Sequence, residues 1–265
     1  MTHKLCKIYR EEGFAKHEGI FSETEIQKIQ SATARISSQE FPGHIREEHK
    51  KTYRAFHGCH LYNKTFRELV RRPILIKTAQ ELLADEVYVH QLKINTKRPL
   101  HGEAWPWHQD YIFWRNHDGL ESDQVTNVMI NLDPVTMDNG PLMFIPKSHQ
   151  WGCLDEHTKI NSSPNWEGDV SNNLTYQIED NFVEGLIKQF GIAHTTGPSG
   201  SAWWFSGNTC HASSGNTSKF DRNVVIITYN AVKNAPKTDG DKFGKRPEFL
   251  CAKDFTPLKP EGSLV

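Results

Sequence analysis

The sequence has no long apolar run. Across its 265 residues nothing approaches the roughly 20 consecutive apolar residues that a membrane helix needs, and the first residues, MTHKLCKIYREEGF, lack the apolar stretch of a signal peptide. A cytoplasmic protein with no membrane partner is expected. Cysteine is scarce: Cys6, Cys59, Cys153, Cys210 and Cys251 are odd in number, widely spaced and form no C-x-x-C. That pattern speaks against a disulfide framework and a structural zinc knuckle, and for reduced, mostly buried thiols. An excess of either charge is missing too. With 31 Lys and Arg against 32 Asp and Glu, no bulk attraction to nucleic acid or anionic lipid is built in, and a small, roughly neutral ligand fits better. No internal repeat, low-complexity tract or interdomain linker divides the chain. A single domain over 1–265 is expected.

Helical and strand patterns follow each other along the chain. Ser22 and Glu25 have capping-box spacing, and Ile26, Ile29, Ala32 and Ile36 recur at helical intervals, which predicts an amphipathic helix over 23–38. A second helix is predicted from Phe66 to Leu83, with Pro73 as a start or break. From Val87 the period changes. VYVHQLKIN, QVTNVMINL, PLMFI, SAWWF and NVVIITYN are β-branched and aromatic, and turn residues such as Asn139-Gly140 and Gly215-Asn216 separate them. The fold class expected is mainly β: a double-sheet antiparallel barrel (86–232) behind a helical flank (1–85). Residues 155–180 are polar and read as a long loop serving as a lid. The tail, 233–265, is rich in Gly, Pro and Lys and is expected to wrap the surface.

One tripeptide carries chemistry. Iron(II) that activates O2 needs protein ligands on one face only, so that three positions stay open, and two His with one carboxylate meet that need. His108-Gln109-Asp110 has the H-x-D spacing, which on a strand puts both side chains on one face. About one such tripeptide is expected by chance among 14 His, and His101-Gly102-Glu103 is a nearby decoy. A core histidine is therefore the plain alternative for His108. Support comes a hundred residues later, where His211 ends a short strand, Ser214-Gly215-Asn216 turns the chain, and Arg222 opens a β-branched run. A hairpin through that turn would set a metal ligand beside a fixed guanidinium. Such a pair suits 2-oxoglutarate, whose keto acid end chelates iron while its distal carboxylate takes a bidentate bond from Arg.

These residues resemble the phytanoyl-CoA dioxygenase family of iron(II) and 2-oxoglutarate oxygenases. The resemblance rests on HQD, on NGPLMFIPKSH (Asn139 to His149), and on His211 followed eleven residues later by Arg222. Within the family, VYVHQLKINTKR, WHQDYIFWRNHDGL and ITYNAVKNAPK are similar to hydroxylases of free small amino acids, leucine 5-hydroxylases first and ectoine hydroxylases more distantly. The resemblance implies a double-stranded β-helix, with His108, Asp110 and His211 as metal ligands and Fe(II), 2-oxoglutarate and O2 as cofactor and co-substrates. It implies that Asn95, Trp114 and Ser213 join Arg222 around 2-oxoglutarate. Gln91, Lys93 and Arg246 match substrate-contacting positions, with His60 a further candidate and Lys245 a substitute for Arg246, because extra residues precede it in KTDGDKFGKR. The substrate implied is a free aliphatic L-amino acid, leucine at C5, in specialised-metabolite biosynthesis. Halogenating relatives replace the ligand carboxylate with a small residue, so Asp110 favours hydroxylation. Other readings stay open: an ectoine-like or acyl substrate, desaturation or cyclisation, a zinc hydrolase on the same ligands, or a catalytically silent barrel that senses metal or oxoacid.

Overall fold

The computed structural model describes residues 2–47, 52–161, 165–237 and 246–261. Helix α1 (Thr2–Glu12) buries Leu5, Cys6 and Tyr9. Helix α2 (Glu23–Ser37) begins with the expected capping box: the Glu25 amide donates to Ser22 Oγ at 3.3 Å, and the Ser22 amide donates to Glu25 Oε2 at 2.8 Å. Its stripe of Ile26, Ile29, Ala32 and Ile36 is buried. The single helix expected from Phe66 to Leu83 is instead divided. After the turn α3 (Cys59–Tyr62), α4 (Lys64–Leu69) is capped by Asn63, and α5 (Pro73–Leu83) starts on Pro73. Proline lacks the amide that a continuous helix would need, and it suits the first turn of a new one. No helix among the described residues is long and apolar enough to cross a membrane.

The strands are β1 (Phe14–His17), β2 (His44–Arg46), β3 (Tyr53–His57), β4 (Val87–Lys97), β5 (Trp105–His108), β6 (Val125–Asn131) and β7 (Leu142–Phe144). They continue with β8 (Thr158–Ile160), β9 (Tyr176–Ile178), β10 (Ala193–His194), β11 (Ala202–Ser206), β12 (His211–Ser213) and β13 (Arg222–Ala231). All five predicted runs form strands, as β4, β6, β7, β11 and β13. The larger sheet has the order β1-β11-β6-β13-β4-β3-β2, the smaller β10-β7-β12-β5, and β8 pairs with β9 alone. Every pairing is antiparallel.

Strand β13 shows how the layers are built. Val225 and Ile227 pack with Ile26, Ile29 and Leu75 in the cluster between the larger sheet and the helices. Val224 and Ile226 face the other way, packing with Leu142 and Phe144 of the smaller sheet. Both faces are covered, so its sequence is an unbroken apolar run rather than an alternating one. Two facing sheets with helices outside the larger one make the expected double-stranded β-helix.

Two expectations need correcting. Residues 155–180 are not a plain loop: β8 and β9 pair from Thr158↔Ile178 to Ile160↔Tyr176, and Trp166–Val170 forms a helical turn. The tail does more than wrap the surface. Arg246, Leu250 and Cys251 are buried, the Ala252 amide donates to His90 O at 3.1 Å, and the Leu258 amide donates to Val87 O at 2.8 Å. Along β4, strand β3 pairs with Asn95, Ile94 and Lys93 and not with the residues before them, so the start of β4 would otherwise be an open edge, and the tail covers it.

Removing the α2 cap by Ser22→Ala is expected to lower stability by about 1 kcal/mol. Urea unfolding measures this; an unchanged midpoint would mean that the cap contributes nothing.

Candidate metal centre and its cavity

His108 is the last residue of β5 and His211 the first of β12, and the two strands pair with His211 directly opposite His108. Their ring centroids are 4.1 Å apart. Each ring is fixed from behind: His108 Nδ1 donates to Pro106 O at 2.7 Å and His211 Nδ1 donates to Thr209 O at 2.9 Å. A proton on Nδ1 leaves the Nε2 lone pair free. Both Nε2 atoms turn toward one carboxylate, with His108 Nε2 3.8 Å from Asp110 Oδ1 and His211 Nε2 3.7 Å from Asp110 Oδ2. The three ligand atoms lie within 4.8 Å of one another.

The residues meet, although not by the strand geometry expected of H-x-D. Strand β5 stops at His108, and Asp110 has helical dihedrals (φ −74°, ψ −36°) at the mouth of the turn Tyr111–Phe113. The expected hairpin between His211 and Arg222 is absent as well. Strand β12 pairs with β5 and β7, whereas β13 pairs with β4 and β6, so the two belong to opposite sheets. His211 opens its strand rather than ending it. Residues 214–221 cross between the sheets, with Asn216 Nδ2 donating to Lys97 O and Phe220 O at 2.9 and 2.8 Å. Arg222 thereby enters the same cavity as His211 from the facing wall.

Burial sets the protonation states. It pushes His108 down to about 3, with His211 adding to the effect, and it lowers His211 too. Burial alone would raise Asp110, but Lys93, His211 and His108 outweigh it and hold the carboxyl at about 2. Two neutral imidazoles and one carboxylate at neutral pH form a donor set ready for a divalent metal. The decoy is not: His101 is exposed, and Glu103 pairs with Arg54 at 3.1 Å. Another buried group, His90, Asp118 and Cys251, has ligand spacing, but Arg246 Nη1 already lies 2.8 Å from Asp118 and puts a cation there.

Around the triad, Gln91, Lys93 and Asn95 alternate along β4 and line the cavity with Trp114, Ser213 and Arg222. Arg222 is 3% exposed, and both Nε (3.0 Å) and Nη2 donate to Gly140 O. Gly140 cannot readily be replaced, because at φ +82° a Cβ would lie 2.6 Å from Lys97 Cδ and 2.7 Å from Ser214 O. Among the described residues no carboxylate pairs with Arg222, and burial lowers it to about 10. Asn95 Oδ1, Ser213 Oγ and both ring nitrogens of His57 are buried without a hydrogen-bond partner. A cavity with a buried, unmatched guanidinium and orphaned polar atoms is suited to a polar, anionic ligand.

Lys93 Nζ reaches to 3.6 Å from Asp110 Oδ1. Arg246 lines the cavity but is also held by Asp118 at 2.8 Å and by Asp169 at 3.5 Å. Lys245 lies outside the described residues. His60 is not brought to this cavity; it borders a separate one with Leu61, Arg67 and Tyr88. Gly58, at φ +69°, turns the chain from β3 into α3, leaving His57 at the strand end inside the cavity and His60 on the helix outside it. His57, Asp169 and Asp118 had escaped the sequence analysis. Recognising YRAFH as a strand would have found His57.

Residues 9–224 match the family described as phytanoyl-CoA dioxygenase (PhyH). The chain belongs to this family. It is an enzyme of the dioxygenase class, and its relatives agree. It is 37% identical to L-proline trans-4-hydroxylase of Streptomyces griseoviridis, over 95% of this chain and 93% of that protein. It is 31% identical to the ectoine dioxygenase of Streptomyces coelicolor, over 94% and 84%. Among crystal structures, EctD from S. alaskensis with 2-oxoglutarate and 5-hydroxyectoine superposes with a TM-score of 0.85 at 26% identity, covering 100% of this chain and 89% of that one. The same protein with bound Fe gives 0.83 at 27% identity, with the same coverage.

Burial alone would raise Asp118, but Arg246 and His90 outweigh it and keep the carboxyl below its ordinary value. Asp118→Ala would leave Arg246 with a buried, undermatched charge, and a loss of about 3 to 5 kcal/mol is expected. Because the folded carboxyl titrates lower than the unfolded one, the wild-type contribution is complete above about pH 4 and disappears as the pH falls through the folded value. Urea unfolding at pH 7 and below 4 checks both points; a variant as stable as wild type at pH 7 would contradict the pairing.

Proposed function

We propose that this protein is an Fe(II)- and 2-oxoglutarate-dependent hydroxylase of a free aliphatic L-amino acid, with leucine at C5 the first candidate. The observation that carries the reading is the pairing, in one cavity, of the His108, Asp110 and His211 donor set with the buried, carboxylate-free Arg222. When bound, iron with 2-oxoglutarate and O2 supplies the oxidation of an unactivated C–H bond, with succinate and CO2 as co-products. His108, Asp110 and His211 hold the metal. Arg222 takes the distal carboxylate of 2-oxoglutarate, Ser213 and Asn95 offer their unpartnered oxygens beside it, and Trp114 closes the wall. Zinc-dependent hydrolysis on the same ligands would leave Arg222 without a task.

Lys93, Gln91 and Arg246 line the cavity and offer polar partners to an amino acid's charged end, and Phe113, Val170 and Leu174 provide apolar walls for its side chain. Walls of this kind discriminate weakly between neighbours, by about 1 to 3 kcal/mol per methylene, so several aliphatic amino acids are expected to be accepted at lower rates. A second reading has its own support. The 37% identity to an L-proline trans-4-hydroxylase favours a cyclic imino acid oxidised on its ring.

Screening the free amino acids by mass spectrometry for succinate together with a product 16 mass units heavier separates the two readings. Hydroxyleucine is the product expected of the first, a hydroxylated ring of the second, and succinate alone from every amino acid would remove the substrate class. His108→Ala, Asp110→Ala and His211→Ala are each expected to abolish turnover in a folded protein; retained activity in any of them would remove that residue from the ligand set. For the co-substrate, Arg222→Ala is expected to raise the KM for 2-oxoglutarate about 30- to 1000-fold, since a charge-assisted pair is worth roughly 2 to 4 kcal/mol. An unchanged KM would move the anchor elsewhere.

A further inference from the structure

Both histidines of the donor set sit in paired strands. Asp110 does not: its strand has ended, and its backbone lies in a helical turn. A carboxylate free to turn about its last side-chain bond can give a cation one oxygen or two, and a second oxygen would fill one of the three positions that oxygenase chemistry needs open. Among the described residues, two donors lie close to Asp110. Lys93 is long and lies 3.6 Å from Oδ1. Asn127 is short and fully buried, and its Nδ2 donates to Asp110 Oδ2 at 3.0 Å.

Asn127 is itself held. It lies on β6 directly opposite Thr228 on β13, and the Thr228 hydroxyl donates to Asn127 Oδ1 at 2.7 Å. Both side chains are 1% exposed or less. A hydroxyl has one proton to give, and giving it to Oδ1 commits the amide oxygen to Thr228 and the amide protons to Asp110. The reversed amide would set a carbonyl oxygen against a carboxylate. The chain of bonds Thr228, Asn127, Asp110 thus runs from the larger sheet across the barrel interior to the segment following β5.

We propose that Asn127 is a positioning residue that occupies Oδ2 of Asp110, so that the carboxylate offers the metal one oxygen rather than two, with Thr228 fixing the orientation of the amide. The proposal rests on the metal site argued above. It assigns Asn127 and Thr228 no contact with substrate or metal.

The test is anaerobic Co(II) titration of the whole protein, read by calorimetry and by the visible absorption of the bound ion, with thermal unfolding as a control for folding. Asn127→Leu is expected to bind roughly 10- to 100-fold more weakly, in the range seen when partners of metal ligands are removed, with an altered Co(II) spectrum. Thr228→Val should lose affinity in the same direction by less, and Thr228→Ser, which keeps the hydroxyl, should match wild type. A folded Asn127→Leu with wild-type affinity and spectrum overturns the proposal and leaves the metal site standing. If Asn127→Leu does not fold, the Thr228 pair decides, since equal affinities of the Val and Ser variants overturn it. Wild-type protein that binds neither Co(II) nor Fe(II) overturns the metal site and this proposal together.

Discussion

The pairing of β12 with β5 is the constraint on which the rest of the site depends. It sets His211 opposite His108, and because the imidazoles are buried, both must stay neutral. Backbone carbonyls at Pro106 and Thr209 settle which nitrogen carries the proton. The carboxylate of Asp110 then enters a space already lined with two lone pairs, and it is tolerated there because Lys93 and the Asn127 amide face it. Among the described residues no carboxylate pairs with Arg222, which leaves the cavity a buried guanidinium whose charge is not matched within the protein.

The larger sheet makes this arrangement rigid. With helices on one face of β13 and the smaller sheet on the other, its residues cannot shift register without exposing one apolar set or the other. Arg222, Val224, Ile226 and Thr228 share the inward face, so one strand supplies the cavity's buried guanidinium, two apolar wall residues and the hydroxyl that donates to Asn127. The tail closes the opposite side, where Arg246 joins Asp118 and Asp169 into one buried cluster that links the turn after β5, the segment before β9 and the tail.

Much of this was legible in the sequence, and the rest was hidden for physical reasons. The long strands announced themselves because burial on both faces leaves unbroken β-branched runs, and α2 did so through its cap and stripe. The short strands β1 to β3 gave no such signal, since FAKH, HIR and YRAFH mix polar and apolar residues over three to five positions and lack the apolar runs of PLMFI and SAWWF. H-x-D named a pair that the structure brings together by a route other than the one expected, a strand end followed by a helical turn. Arg222 came into view through a supposed hairpin, yet it reaches the cavity by crossing between sheets. His57 was passed over for His60 because one left-handed glycine, Gly58, decides which of the two faces inward. Asp169 and Asp118 gave no signal, because their meaning depends on where the tail docks, which no local pattern encodes.

Oxygen uptake by the metal-free protein, after reconstitution with Fe(II) or Zn(II) and with or without 2-oxoglutarate, tests the central claim most directly. Consumption is expected only when Fe(II) and 2-oxoglutarate are both present, with one succinate formed for each O2 consumed. Uptake without 2-oxoglutarate, or none with both present across the amino acids, would contradict it.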